Sequence, residues 1–136
     1  MKTDYIDPFG KNFKNFLSVK IRALGKPRMV RSDSWKKRPC VLAYWEYKKE
    51  LLRQLPRNFI MPNHGYHLVF YFSPRRSYSL SKKEEMAGTP HQQKPDKDNL
   101  EKAFLDCVCK NDAYIYHGEV SKWWCKDGNN EIKLFW

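Results

Sequence analysis

The seven residues 66–72, YHLVFYF, limit the fold of this chain more than any other segment. Six of the seven are aromatic or aliphatic, and so short and apolar a run is typical of a strand that is buried on both faces. The sequence therefore predicts a central β-strand at residues 66–72, with further strands beside it and helices packed on the sheet.

Three other segments predict strands around this one. Residues 17–23 alternate apolar and charged side chains, residues 114–125 have the composition of a long strand, and residues 131–136 alternate cleanly. An Asp-Gly pair at residues 127–128 is typical of a hairpin turn. We therefore expect residues 131–136 to be the return strand of a hairpin with the strand before it.

Three segments have the spacing of helices. Apolar residues recur every three to four positions over residues 41–55, and Trp45 falls on that stripe, so we expect it in the core. Residues 81–88 begin with a capping-box pattern and end at a glycine, which predicts a short helix. After Pro95 the helical spacing returns over residues 100–108.

The order of these elements sets the expected architecture. A chain that runs strand, helix, strand, short helix, helix, strand, strand fits an α/β (α+β) fold with a single mixed β-sheet of about four strands and two main helices packed on it. Residues 17–136 are expected to form one domain, since a chain of 136 residues can bury a hydrophobic core without disulfides or a structural metal. Residues 1–16 mix Phe, Asn and Lys without a period, which predicts a loosely ordered N-terminal arm.

The charge of the chain is distributed unevenly. Residues 1–95 hold 20 Lys and Arg against 7 Asp and Glu, whereas residues 96–136 hold 6 against 8, and the balances of +13 and −2 sum to +11. Four acids fall within residues 94–106. Carboxylates repel phosphates unless a cation lies between them, so an acidic cluster in a basic chain indicates a metal-dependent enzyme that acts on a polyanion.

The chain has neither a long apolar run nor a secretory signal. Without 18 consecutive apolar residues we expect no membrane span, and the first residues lack the apolar stretch of a signal peptide. A cytoplasmic location is therefore expected.

The acidic cluster lies where a helix is expected to begin. Asp96 and Asp98 are two residues apart and would face the same side in extended backbone, close to the positive end of the helix. Asn99 can orient a ligand or a water, Lys102 lies one turn beyond Asp98, and Asp106 a further turn along that face. An ordinary helix start, with a capping Asp, an Asp98–Lys102 ion pair and a solvated Asp106, explains the same spacing equally well.

The residues around this cluster resemble a known family. The lead-in SYSLSKKEEMAGTPHQQ at residues 77–93, followed by KPDKDNLEKAFLD at residues 94–106, is similar to the motif K-P-D-x-D-N-L-x-K-x-x-x-D of the RusA family of Holliday-junction resolvases, especially its phage-encoded members. Residues 25–28, GKPR, resemble the family's N-terminal glycine, proline and arginine loop. The resemblance covers residues 17–134, and its specific part is residues 77–108.

What the resemblance implies is a small α/β homodimer that cuts four-way DNA junctions with Mg²⁺, for which Mn²⁺ can substitute, and no small-molecule cofactor. Three Asp residues of the family bind the metal and a Lys assists. The first two carry over to Asp96 and Asp98, and the Lys to Lys102. His91, in a family-like Pro-His pair, is expected near the substrate backbone.

The third acid depends on how the following loop is aligned. If that loop is shortened, Asp112 takes the metal role, with Asn111 in place of a second acid. Without a gap, the same position falls on His117, a ligand that Mg²⁺ does not favour. We favour Asp112 and keep His117 as the alternative.

Two basic clusters that precede the acidic residues in sequence are candidates for DNA binding. Such charges bind phosphates without selecting a base sequence, while Trp35 and Tyr78 within the loops are candidates for stacking on exposed bases. The candidate phosphate-binding residues are Lys26, Arg28, Arg31, Lys36, Lys37, Arg38, Arg75, Arg76, Lys82, Lys83 and Lys94.

These observations predict an endodeoxyribonuclease that resolves branched, four-way DNA by metal-assisted phosphodiester hydrolysis during recombination and repair. Two alternatives remain open from the sequence. The first alternative is a structure-selective nuclease for flaps and forks. The second is a junction-binding protein whose catalytic site has decayed.

Overall fold

A computed structural model describes residues 4–34 and 38–136 of the chain. Six strands and three α-helices, together with a 3-10 turn at Arg31–Ser34, follow one another along it. In chain order they are β1 (Tyr5–Ile6), β2 (Asn12–Phe13), β3 (Phe16–Val19), α1 (Pro39–Gln54), β4 (Tyr66–Phe72), α2 (Leu80–Met86), α3 (Lys97–Val108), β5 (Gly118–Trp124) and β6 (Glu131–Phe135).

A four-stranded mixed sheet in the order β3-β6-β4-β5 forms the centre of the fold. β4 pairs parallel with β5 and antiparallel with β6, so that Leu68 faces Val120 on one side and Leu134 on the other. Its residues are almost all buried, as its apolar sequence predicts. The mixed sheet with helices packed on it confirms the expected fold class.

The predicted hairpin between the last two strands is wrong. Asp127 does form a local turn, in which its carboxylate accepts a 3.1 Å hydrogen bond from the backbone N–H of Asn129. The chain after this turn, however, passes β4 and inserts β6 between β3 and β4. There β6 has an antiparallel partner on both sides, and Ile132 and Leu134 become fully buried, which a place at the sheet edge would not achieve.

The fifth strand also begins later than predicted, at Gly118 rather than at residue 114. The residues before it are tied to the loop that leads into β4. Tyr116 donates a backbone hydrogen bond of 2.9 Å to Asn63, and the carbonyl of His117 accepts one of 3.1 Å from Gly65. These bonds hold residues 114–117 against the neighbouring loop instead of in the sheet.

Helices α1 and α3 pack on one face of the sheet. The side chains of Tyr66, Leu68, Phe70 and Phe72 point to that face and join one core with both helices, where the ring of Phe70 meets that of Phe104 edge-on at 6.5 Å. Within the described chain, no helix is both long and apolar enough to span a membrane.

The prediction that Trp45 lies in the core is wrong, because 52% of its surface is exposed. The buried stripe of α1 runs through Val41, Tyr44 and Leu51, and Trp45 lies one residue, or about 100°, away from Tyr44. Its indole ring instead rests against the edge of that stripe, 6.0 Å from the ring of Tyr44.

The opposite face of the sheet carries the β1–β2 hairpin, within the segment for which the sequence predicts a loosely ordered arm. Phe13 of the hairpin is buried against Val69 and Phe135. Asp7 closes the turn by accepting hydrogen bonds from the N–H groups of Phe9, at 3.0 Å, and Lys11, at 2.8 Å. The N-terminal segment therefore contributes to the second face of the fold.

Candidate functional site

The predicted acidic cluster lies at the N-terminus of α3. Asp96 is the N-cap residue, and the backbone N–H of Leu100 donates a 3.0 Å hydrogen bond to its carbonyl oxygen. Its carboxylate makes no capping hydrogen bond and is exposed, as is Asp98 in the first turn. Both carboxylates are therefore positioned at the positive end of the helix, where a cation or a polarised water can approach them.

Lys122 of β5 holds the loop that leads into this helix. Its ammonium group donates hydrogen bonds to the carbonyl oxygens of Gln93, at 2.5 Å, and Pro95, at 2.8 Å. Burial lowers the pKa of Lys122, and the neighbouring Asp96 carboxylate partly offsets this effect. Pro95, which a cis peptide bond joins to Lys94, is thus anchored directly to the sheet.

The glycine and arginine loop at residues 25–28 packs against the other side of the motif. A Cβ on Gly25 would lie 2.5 Å from the side-chain nitrogen of Asn99, so only glycine permits this approach. Lys26 forms an ion pair with Asp106, and Lys102 lies 3.7 Å from the same carboxylate. Among described residues no ion pair joins Asp98 to Lys102, which leaves the Asp98 carboxylate without its expected helical partner.

Asp98 opens onto a cleft between α3 and β5 of about 410 Å³, which we call the upper cleft. Glu101 and Glu119 also line it, so that three carboxylates share one concave surface. Neither glutamate is among the catalytic or metal-binding residues predicted from the sequence. Glu101 was recognisable as the residue one turn after Asp98, but nothing in the sequence brings Glu119 of β5 close to that helix.

Asp112 lines an adjoining cleft of about 520 Å³, which we call the lower cleft. The lower cleft shares Glu101 and Gly118 with the upper cleft, and His117 lies on the wall of the lower cleft. The hydroxyl of Tyr66 donates a 2.9 Å hydrogen bond to Glu101, and burial together with this contact raises the pKa of Tyr66. Asp112 and Asp98 therefore lie on two adjoining clefts.

The closest group of potential metal ligands lies on the hairpin side of the upper cleft. Over residues 4–34 and 38–136, the one trio of His, Cys, Asp or Glu side chains with ligand atoms within 4.8 Å of one another is Asp7, His67 and Glu119. Asp96, Asp98 and Asp112 do not form such a trio, and their assignment as metal ligands stays a prediction. The oxygen donors of the two clefts are nevertheless of the kind that Mg²⁺ prefers.

The comparison with protein families identifies the group to which this arrangement belongs. A family model described as endodeoxyribonuclease RusA matches residues 19–134 of the chain. The chain belongs to the RusA family. RusA proteins are endodeoxyribonucleases, hydrolases that act on DNA; the family is generally metal-dependent and its resolvases act on branched DNA junctions. No curated protein matches the sequence.

His91 of this RusA-family chain is buried, with 5% of its surface exposed. Its ring contacts those of Phe72, at 4.5 Å, and Trp124, at 4.3 Å, and its Nδ1 has no hydrogen-bond partner among the described residues. Burial, followed by the nearby Lys122 charge, lowers the pKa of His91 to about 4. A contact with the DNA backbone stays a prediction, and the position indicates a packing role.

The predicted DNA-binding residues of the RusA domain occupy several loops and helix α2. Lys26 is engaged by Asp106, and the guanidinium of Arg38 donates a 2.8 Å hydrogen bond to the carbonyl of Arg28. The Lys82 ammonium lies 3.8 Å above the Tyr78 ring and so covers one of its faces. Trp35, Lys36 and Lys37 fall outside the described residues. The exposed members are Arg28, Arg31, Arg75, Arg76, Lys82 and Lys94, while Lys83 is half-buried.

Proposed function

We propose that this chain is a Mg²⁺-dependent endonuclease that resolves four-way (Holliday) DNA junctions in recombination and repair. The observation that carries the proposal is the upper cleft, which Asp98, Glu101 and Glu119 line in a chain of net charge +11. A polyanionic substrate approaches such carboxylates only when a cation neutralises them.

Asp96 and Asp98 are proposed to hold the metal ion at the mouth of α3, with Asp112 as the third ligand and Mn²⁺ as a substitute. When bound, the ion supplies a more acidic water and neutralises charge on the scissile phosphate. The exposure of both carboxylates, two residues apart at the start of α3, supports this role. His117, on the wall of the lower cleft, is the alternative third ligand.

Lys102 is proposed to contact the scissile phosphate or to position the attacking water. Its ammonium lies beside Asp106, on a surface shared with Asn99 and the basic loop at residues 25–28. Asp106, which contacts both Lys26 and Lys102, supports their placement. Lys122 acts through Asp96, because it holds the loop immediately before it.

The exposed basic residues are proposed to bind phosphates along the arms of the junction. Such contacts release counterions, so we expect junction affinity to fall steeply with salt, and replacing one contacting residue such as Arg28 to reduce the salt slope by about 1. A homodimer suits the two-fold symmetry of a four-way junction and would produce paired nicks. A phage origin and a cytoplasmic site of action complete the proposal.

Cleavage of matched synthetic DNAs tests this function. Four-way, forked, flapped and linear substrates of the same sequence are incubated with increasing Mg²⁺ or Mn²⁺. We expect paired nicks in the four-way substrate, and we expect Asp98→Asn to retain binding while cleavage falls by about 100-fold or more. Glu85→Gln, a change in an exposed acid of α2, is the matched control and should cut normally.

Other outcomes point to the alternatives. Preferential cutting of flaps or forks would replace junction resolution with a broader structure-selective activity. A wild-type protein that binds junctions but stays inert with both metals would identify a decayed binding protein.

A further inference from the structure

Two exposed aromatic rings stand beside the acidic clefts. Phe9 lines the upper cleft together with Asp98 and Glu119, and 65% of its surface is exposed. Tyr116 lines the lower cleft beside Asp112, with 73% of its surface exposed. The two clefts adjoin, and an exposed Phe or Tyr ring lies on the wall of each.

The ring of Phe9 is held in place although it is exposed. It stacks on the ring of His67 at 5.6 Å with an interplanar angle of 14° and meets the edge of Trp123 at 5.5 Å. His67 is fixed in turn by Asp7, 2.7 Å from its Nδ1, and by Ser121, 2.6 Å from its Nε2. Phe9 therefore presents a fixed aromatic surface at the hairpin tip.

The ring of Tyr116 is supported in the same manner. It stacks on the exposed ring of His64 at 5.4 Å with an interplanar angle of 14°. Its backbone N–H is bonded to the carbonyl of Asn63, and the carbonyl of His117 accepts from Gly65. One face of the tyrosine is thus backed by a second ring, and the high exposure of the residue leaves the remaining ring surface to solvent.

The chemistry of the surroundings narrows what these rings can bind. Carboxylates on both clefts repel phosphates, whereas a nucleobase is uncharged and stacks on an aromatic ring. Fully paired duplex DNA keeps its bases stacked inside, while a branch point offers unpaired or unstacked ones. We propose that Phe9 and Tyr116 are stacking platforms for unpaired bases, and that they make this chain prefer branched DNA to duplex.

This inference rests on the proposed function and adds a source of substrate selectivity that metal and phosphate contacts do not supply. Phosphate contacts alone are the same in every duplex arm. The preference for a branched substrate then resides in two rings outside the KPDKDN motif, one on the N-terminal hairpin and one on the loop before β5.

Binding in the absence of metal tests the platforms. A four-way junction carrying 2-aminopurine at the branch point is compared with a linear duplex of the same sequence, in EDTA, for wild type, Phe9→Ser, Tyr116→Ser and Tyr116→Phe. We expect each serine variant to weaken junction binding by about 5- to 100-fold and to lose the 2-aminopurine quenching, with duplex binding unchanged. Tyr116→Phe keeps the ring and should behave like wild type.

Ile60→Ser is the matched control, because this exposed apolar residue lies outside both clefts. The proposal is overturned if Ile60→Ser weakens junction binding as much as the ring variants do. It is also overturned if Phe9→Ser and Tyr116→Ser both leave junction binding unchanged, which is the result expected if the rings contact another protein. Should Phe9→Ser fail to fold, Tyr116→Ser carries the test. If the serine variants lose junction binding but the wild type does not cleave, only the proposed nuclease function is contradicted. If the wild type cleaves junctions and the serine variants bind them normally, only the stacking platforms are contradicted.

Discussion

The ammonium group of Lys122 donates a 2.8 Å hydrogen bond to the carbonyl oxygen of Pro95. This bond ties β5 to the residue that precedes the N-cap of α3, across 27 positions of sequence. The placement of the Asp96 carboxylate consequently depends on the sheet as well as on its own helix.

We expect Lys122→Met to impair catalysis more than binding. Two carbonyl oxygens lose their donor, which is expected to destabilise the fold by about 1–3 kcal/mol and to loosen Asp96. Cleavage rates should fall by about 10-fold or more while metal-free junction binding stays near wild type. Urea unfolding and single-turnover cleavage measure the two effects, with the exposed Lys110→Met as control. Unchanged cleavage by Lys122→Met would remove its positioning role.

Metal affinity tests the third ligand. We expect Asp112→Asn to weaken Mg²⁺ binding by about 10- to 100-fold, as measured by calorimetry on the DNA-free protein. Glu119→Gln is the paired variant, because Glu119 lies with Asp98 on the upper cleft. If Glu119→Gln weakens binding and Asp112→Asn does not, the proposed role of Asp112 is wrong.

Gly25→Ala should destabilise the protein by about 1–3 kcal/mol. The added methyl group would lie 2.5 Å from the side-chain nitrogen of Asn99, so the basic loop or Asn99 must move. In an Asn99→Ala background the same change should be less destabilising, since the obstructing atom is gone. Chemical denaturation of the four proteins gives this coupling, and strict additivity would contradict the contact.

The buried His91 should make the protein less stable in mild acid. Its folded pKa of about 4 lies below the value of about 6.5 for an unfolded chain, so the unfolded state binds the proton first. Stability is therefore fully present above about pH 6.5 and is lost as the pH falls toward 4. Melting temperatures across this range should fall less steeply for His91→Phe than for wild type; parallel curves would refute this source of pH dependence.

Asp7→Ala should detach the N-terminal hairpin. The Asp7 carboxylate is buried, closes the turn at Phe9 and lies 2.7 Å from His67, so its removal is expected to destabilise the fold by about 3–5 kcal/mol. Limited proteolysis should then cut within residues 4–16, which wild type resists. Asp4→Ala removes only the outer Lys14 pair and should remain resistant.

Much of the core was predictable because its signals are local. The apolar run at residues 66–72 became the central strand β4, and the stripe after Pro95 became the buried side of α3. The short helix α2 was also predictable, but its predicted start at residue 81 is wrong: Ser79 is the N-cap and accepts a hydrogen bond from the backbone N–H of Lys82. Each of these elements follows from residues within one or two turns of one another.

The sequence by itself determined the three helices, the four strands of the main sheet, the fold class, the family motif and the two carboxylates at the mouth of α3. Only the tertiary structure decided which strand lies beside which, because β6 gains two partners by passing β4 rather than pairing with β5. It also decided that Phe9 and Glu119 share a cleft with Asp98. Phe9 and Glu119 are 110 residues apart in sequence. Packing across the sheet brings them together, and such packing leaves no periodic pattern in the sequence.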